Sequence, residues 1–230
     1  MPVIDMELEA VLRPTQYPMP PYPPKMVKLA NGKVMVIRQA EREDVPAILK
    51  SVHPCLFIER DYYDIVSSRL YGELLAWYRH RVKSEYCLMG QVDGYLVGIV
   101  NGRLENEKVG MSYHTLAIDR GLRIGSHLFA AKMEYHMEYL NQESVLIVAE
   151  SPIGFRRWMV EYPLEPSKIP HELGGGDSWV LTRETYFKAK PRLVVGDRPV
   201  PQELMDEAMA DIKFADDDTI RERIAGLKGR

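Results

Sequence analysis

The strongest constraint on the fold lies between Tyr86 and Glu150, where the hydrophobic period changes from strand-like to helix-like and back. YCLMGQ (86–91) and YLVGIVNGRL (95–104) are β-rich runs joined across Val92-Asp93-Gly94, an Asp-Gly pair that marks a tight hairpin turn. ENEK (105–108) makes a second turn into VGMSYHTLAID (109–119), so three antiparallel strands follow one another. Residues 125–140 (GSHLFAAKMEYHMEYL) are rich in helix formers, with Leu128, Ala131, Tyr135 and Tyr139 roughly on one face. SVLIVAE (144–150) has no alternation and reads as a strand buried on both sides. A meander that feeds a β-α-β crossover predicts a mixed sheet with helices on both faces.

The flanking segments extend this order. VMVIRQ (34–39) reads as a strand, and Asp44 opens a short helix running to about Ser51, with Pro46 in its tolerated first turn. Tyr62, Val66, Leu70, Leu74, Tyr78 and Val82 recur at i+4 within 60–83, which places them on one core-facing stripe of a long amphipathic helix. PIGFRRWMVEY (152–162) begins with a helix-starting proline, and SWVLTRE (178–184) is a last core strand. The predicted order is β-α-α-β-β-β-α-β-α-β, an α/β (α+β) fold with a mixed, mostly antiparallel central sheet flanked by helices. Outside this core, six prolines in residues 14–24 predict an extended, polyproline-like N-terminal arm. Residues 202–213 and 218–228 read as two short helices of a C-terminal tail. Their apolar stripe (Leu204, Met205, Ala208, Met209, Ile212) needs a surface to cover it. The chain thus divides into an arm (1–32), a core domain (33–187) and a helical extension (188–230).

Composition narrows the function classes. A net charge of −3 gives no electrostatic reason to expect nucleic acid. The two cysteines, Cys55 and Cys87, make neither a disulfide framework nor a zinc site. No apolar run approaches the roughly 18 residues of a membrane span, and the start MPVIDMELEA lacks a signal-peptide pattern, so a cytoplasmic protein is expected. His127 and His136 are nine apart with no HExxH or His/Cys cluster, which predicts no metal. GxGxxG, GxxxxGK[ST] and GxSxG are all absent.

The segment with readable chemistry is HTLAIDRGLRIGSHLFAAKMEY (114–135). A strand ends at Asp119, a glycine-containing loop follows, and a helix begins near Gly125. Free N–H groups at a helix N-terminus form an anion site, and Gly125 lets an anion approach the main chain. Arg120 and Arg123 add charge-assisted donors to a phosphate, or are simply solvated. Glu150 at the end of its strand, and His114 or Tyr113 on the preceding one, are candidate bases. Strand alternation puts Ser112, His114 and Leu116 on one face and Tyr113 and Thr115 on the other.

The element order, the loop Arg120-Gly121-Leu122-Arg123-Ile124-Gly125 and the hairpin phrase Asp93-Gly94-Tyr95-Leu96-Val97-Gly98 together resemble the GNAT N-acyltransferase superfamily over about residues 33–187. The family's loop reads Arg/Gln-x-x-Gly-x-Gly/Ala, so Arg123 stands where the first motif glycine is usual. The resemblance implies acetyl-CoA (or another acyl-CoA) as co-substrate, bound between two splayed strands. Its pantetheine would pair with Leu116, Ala117 and Ile118, and its pyrophosphate would rest on the N–H groups of Leu122, Arg123, Ile124, Gly125 and Ser126. It implies direct acyl transfer to a small-molecule or peptide amine, with Glu150 or His114 as base. Trp158 falls at the position of the family's acidic tyrosine, with Tyr162 one turn on as a substitute. Two alternatives stay open: a GNAT-shaped non-catalytic acyl-CoA-binding or regulatory subunit, and transfer of a longer acyl chain from an acyl-carrier protein. The terminal extensions suggest wrapping over the core or over a second subunit, as in a homodimer.

Overall fold

A computed structural model describes Leu12, residues 18–173 and residues 177–225. The first residues of the proline-rich stretch, the glycine loop 174–176 and the end of the second tail helix (226–228) lie outside the described residues. Eight strands form one sheet: β1 (Lys25–Lys28), β2 (Val34–Gln39), β3 (Glu85–Val92), β4 (Tyr95–Leu104), β5 (Val109–Ala117), β6 (Ser144–Val148), β7 (Glu165–Pro166) and β8 (Ser178–Thr182). Their spatial order is β1-β2-β3-β4-β5-β6-β8-β7, and β5–β6 is the parallel pair in an otherwise antiparallel sheet. The helices are α1 (Val45–Val52), α2 (Tyr63–Tyr78), α3 (Ile124–Glu134), α4 (Pro152–Glu161), α5 (Arg183–Leu193), α6 (Gln202–Met209) and α7 (Asp217–Ala225). The predicted mixed α/β class is the observed one.

The two sheet faces are sealed by different helices. On one side Ile48, Leu70, Leu74 and Ile224 bring α1, α2 and α7 against Met89, Ile99 and Leu116. On the other, Leu128 and Ala131 of α3 pack on Val97 and Val100, while α4 and α5 cover β6 through Trp158 and Tyr186. Gly98 permits the close seating of α3. A Cβ there would lie 2.7 Å from Leu128 Cδ1, 2.8 Å from Ile124 Cγ2 and 3.0 Å from the Leu116 carbonyl.

Several elements differ from expectation for local reasons. KMVK (25–28), placed in the arm, pairs with β2 as the edge strand of the sheet; four residues after a run of prolines carry too short a pattern to announce it. The i+4 stripe of 60–83 yields an α-helix only over 63–78, because Asp61 and Tyr62 take left-handed conformations (φ 55° and 62°) that break the entry. The helix predicted to Leu140 widens into a π turn over Tyr135–Tyr139. The last strand stops at Thr182, whose hydroxyl caps α5, a helix that crosses residue 187 and holds Pro191 in its final turn.

The described parts of both extensions lie on the chain's own core. Of the tail's apolar stripe, Ala208 and Ile212 are buried and Met209 is exposed; Ile220 and Ile224 of α7 are buried as well. One carboxylate staples the two ends to the domain. Glu134, on α3, accepts from Tyr22 OH (2.7 Å), Lys25 Nζ (2.8 Å) and both terminal nitrogens of Arg198 (2.9 and 3.1 Å).

Candidate functional site: a cleft at the splayed strands

The parallel pairing of β5 with β6 stops early. Val109–Ser112 pair with Ser144–Ile147, and beyond Ser112 the two strands part. The separation coincides with a bulge in β5, because Val100 faces Thr115 and Gly102 faces Ser112, so Asn101 alone opposes Tyr113 and His114. The bulge overturns the expected alternation of faces. Tyr113 and His114 have rings stacked 6.0 Å apart at 24°, side by side on the α2 face rather than on opposite faces. Asn101 fills the gap, its Oδ1 accepting the His114 N–H (3.0 Å) and its Nδ2 donating to Glu85 (2.9 Å).

Past the bulge, β5 keeps one edge paired and exposes the other. Ile118 N–H donates to the Val97 carbonyl (2.8 Å), so with the observed register Leu116 and Ile118 direct their main-chain groups toward β4. Alternation then turns the N–H and C=O of Thr115 and Ala117 into the splay. The Ala117 carbonyl accepts there from Tyr63 OH (2.7 Å).

This edge forms one wall of a cleft of about 1090 Å³, measured with the solvent at its mouth. The opposite wall is the first turn of α3. Arg123, its N-cap, is left-handed (φ 60°) and supplies no side-chain cap, so the first amides of the helix have no capping partner from that residue. Gly125 faces Thr115 and Ala117; a Cβ built there would sit 3.8 and 3.7 Å from their methyl carbons, so the glycine leaves open width rather than relieving a clash.

The loop arginines are engaged across the cleft. Arg120 donates to Asp61 (2.6 Å) at the entrance of α2, and Arg123 turns its guanidinium to Glu161 of α4 (2.9 Å). Arg157 of α4 reaches back to the Ser126 hydroxyl. A left-handed non-glycine residue costs about 1–2 kcal/mol, so the Arg123 conformation is held against an intrinsic preference.

At the inner end lies Glu150, with its side chain 6% exposed. His114 Nδ1 is 2.7 Å from Glu150 Oε2, and Arg69 of α2 donates to Oε1 (3.0 Å). Burial pushes this carboxyl up. The hydrogen bond and charge of His114, and then Arg69, outweigh that and hold it below the usual carboxylate range. His114 itself is fully buried, and its Nε2 has no hydrogen-bond partner.

Of the residues singled out in the sequence, Glu150, Leu116, Ala117, Arg120, Gly121, Arg123, Ile124, Gly125 and Ser126 line this one cleft. His114 stands behind Glu150. Ile118 is buried in the α1–α2 core, and Leu122 packs toward the α3 core, so neither reaches the cleft. Tyr162 is placed elsewhere too. Its ring packs edge-on to Phe129 (5.5 Å), its hydroxyl is buried without a partner, and burial raises its pKa. Trp158 lines the cleft while stacking on Phe129 (4.7 Å, 16°). Sequence reasoning missed Thr115, Tyr63, Asp61, Arg69 and Arg157, whose roles arise from tertiary contacts with no local pattern. Among the described residues, no group of three or more His, Cys, Asp or Glu is placed to hold a metal ion.

The β5–β6 splay, the bulged strand before it and the glycine-bearing turn into α3 belong to a GNAT-like fold. No protein-family profile and no curated protein sequence matches the chain. Among solved structures, an uncharacterized protein from Bacillus halodurans is similar over 74% of this chain and 95% of its own, with a TM-score of 0.53 and 12% identity. A nucleotide-linked sugar GNAT, FdhC, is similar over 79% of this chain and 100% of its own, with a TM-score of 0.49 and 10% identity. PaiA N-acetyltransferase from Thermoplasma acidophilum, solved in complex with coenzyme A, is similar over 64% of this chain and 98% of its own, with a TM-score of 0.46 and 13% identity. Among the described residues, no helix is long and apolar enough to cross a membrane.

Proposed function

We propose that the protein is an N-acyltransferase that moves an acetyl or other acyl group from acyl-CoA to an amine by direct attack. One observation carries the reading: the main-chain edge of Thr115 and Ala117 that β6 no longer pairs, the first turn of α3 without a side-chain cap from Arg123 and the carboxylate of Glu150 converge on one cleft. An acyl-CoA thioester has a pyrophosphate for the helix N-terminus and an amide-rich arm for a free strand edge. Its carbonyl becomes an oxyanion when an amine attacks, and an N–H of the free edge is the donor that stabilises it.

Glu150 takes the proton that the attacking ammonium must lose. His114 and Arg69 keep it ionised and fixed in direction. The C–N bond forms, the tetrahedral intermediate collapses, and the C–S bond breaks to release a thiolate. A thiol with pKa near ~8.5 leaves readily. Tyr63 is the tyrosine that lines the cleft, and burial keeps its hydroxyl protonated at neutral pH. Tyr162 has no part in this scheme.

Calorimetry with acetyl-CoA tests the donor half. Wild-type protein is expected to bind, and Gly125→Glu, which sets a carboxylate into the anion cradle, to bind at least ~100-fold more weakly, about 2.7 kcal/mol. Equal affinity in the two proteins would remove α3 from the donor site, and no binding by wild type would overturn the reading. Thiol release with a panel of primary amines tests the transfer half. Glu150→Gln should lower kcat by ~10²–10⁴ while acetyl-CoA affinity holds within a few-fold. Donor binding without thiol release for any amine would favour a binding subunit.

A further inference from the structure

The bulge that creates the site has an unusual support beneath it. Lys132, in the middle of α3, is fully buried. Its Nζ lies 3.0 Å from the His114 carbonyl, 3.2 Å from the Tyr113 carbonyl, and 3.3 Å from both the Asn101 carbonyl and Thr115 Oγ1. All four are neutral acceptors, and three are the carbonyls of the residues that face one another across the bulge. A bulge interrupts the ladder and strands main-chain groups. Here they converge on one ammonium.

Two consequences follow for the cleft. His114 shares the α2 face with Leu116 and meets Glu150 there, and the extra residue brings Tyr113 onto the same face beside it. The second concerns a single peptide group. The carbonyl of His114 and the N–H of Thr115 belong to the same peptide unit, so the ammonium draws on one end of a dipole whose other end faces the splay. A cation on the carbonyl strengthens the N–H as a donor.

We propose that Lys132 is a positioning residue for acyl transfer: by gathering the carbonyls of Asn101, Tyr113 and His114 it fixes the bulge, aims and polarises the Thr115 N–H, and seats His114 against Glu150. Its functional meaning rests on the acyl-transfer reading; its structural content stands apart from it. Burial lowers the Lys132 pKa to about 7, with the charge of Glu150 acting to raise it, so the experiments belong at pH 6, where the amine carries its proton.

The decisive measurement is the infrared carbonyl stretch of bound acetyl-CoA labelled with ¹³C at the thioester carbon. In wild type the band should move to lower wavenumber than in free acetyl-CoA. In Lys132→Met, at matched occupancy, at least half of that displacement should be lost, with acetyl-CoA affinity within ~3-fold. With an amine found active on wild type, kcat should fall 10- to 100-fold while KM for acetyl-CoA stays within ~3-fold. A purely structural lysine would instead leave the band and kcat unchanged in whatever protein remained folded, and that result overturns the proposal. Should the methionine variant not fold, Lys132→Gln keeps N–H donors without the charge and should show a smaller loss of band displacement.

A wild-type measurement decides the geometry without activity or donor. The Lys132 ammonium should give a ¹⁵N signal protected from solvent exchange, with hydrogen-bond couplings to the Tyr113 and His114 carbonyls. A freely exchanging ammonium overturns the proposal. Failure of acetyl-CoA to bind wild type would overturn the proposed function alone, and the ammonium signal would still settle the bulge.

Discussion

Two buried charges sit two positions apart on α3 and are treated in opposite ways. Glu134 is met by full and partial positive charge: an ammonium from the edge strand, a guanidinium from the tail and a phenol from the arm. Lys132 is met by carbonyls and a hydroxyl. The first arrangement is closed, since a carboxylate has about four acceptor sites and here receives four donors. The second leaves a cation whose field is not cancelled at contact distance by any partner named for it, directly behind the cleft. The contrast teaches which of the two belongs to stability and which to chemistry. A charge neutralised on every side holds segments together; a charge balanced by dipoles orients the groups that carry those dipoles.

Breaking the closed cluster should have the largest effect on stability. Glu134→Ala leaves Lys25, which is fully buried, and Arg198 facing each other without their counter-charge. A loss of ~3–5 kcal/mol is expected, read by urea unfolding at pH 7. The pH dependence carries a sign. Burial alone would raise the Glu134 carboxyl, but Arg198, Lys25 and Tyr22 overcome it and bring its pKa to about 2, against 4.5 for the unperturbed group. Its contribution is therefore complete above about pH 4.5 and is lost as pH falls toward 2, so the gap between wild type and variant should close over that window. A variant as stable as wild type at pH 7 would mean the extensions are not held through this carboxylate.

The same contrast shows what was legible beforehand. The core elements follow from period and punctuation, which report on each segment's own face. The switch from meander to crossover predicted the mixed sheet, and Gly125 marked the turn into α3. The bulge was not legible, because HTL and SYH alternate as well as any strand; it exists because Asn101, on another strand, and Lys132, on a helix, supply partners for the displaced main chain. Arg69 was hidden for a related reason. On the α2 stripe it is simply a polar position between apolar ones, and only the packing of α2 over the splay brings it to Glu150. Thr182 misled in the other direction: SWVLTRE continues a strand-like composition through the residue that ends the strand and caps α5.

A smaller perturbation sharpens the comparison by testing whether Glu134 is a closed site or merely a well-paired one. Tyr22→Phe keeps the ring, which packs edge-on against Tyr135 (5.5 Å) and Tyr139 (5.7 Å), and removes only the hydroxyl that donates to Glu134. A hydrogen bond to a charged acceptor contributes ~1.5–3 kcal/mol, so the loss should be at the low end, about 1.5 kcal/mol, with both cations still in place. The Glu134 carboxyl should also titrate higher, because a donor to its ionised form has gone, and the acid limb of the unfolding profile should shift to higher pH. If the acid limb stays where it was, the phenol hydroxyl does not act on the ionised carboxylate and is no part of its closure. Glu134 would then be balanced by two cations alone, and the difference from Lys132 would reduce to the sign and number of charges around each.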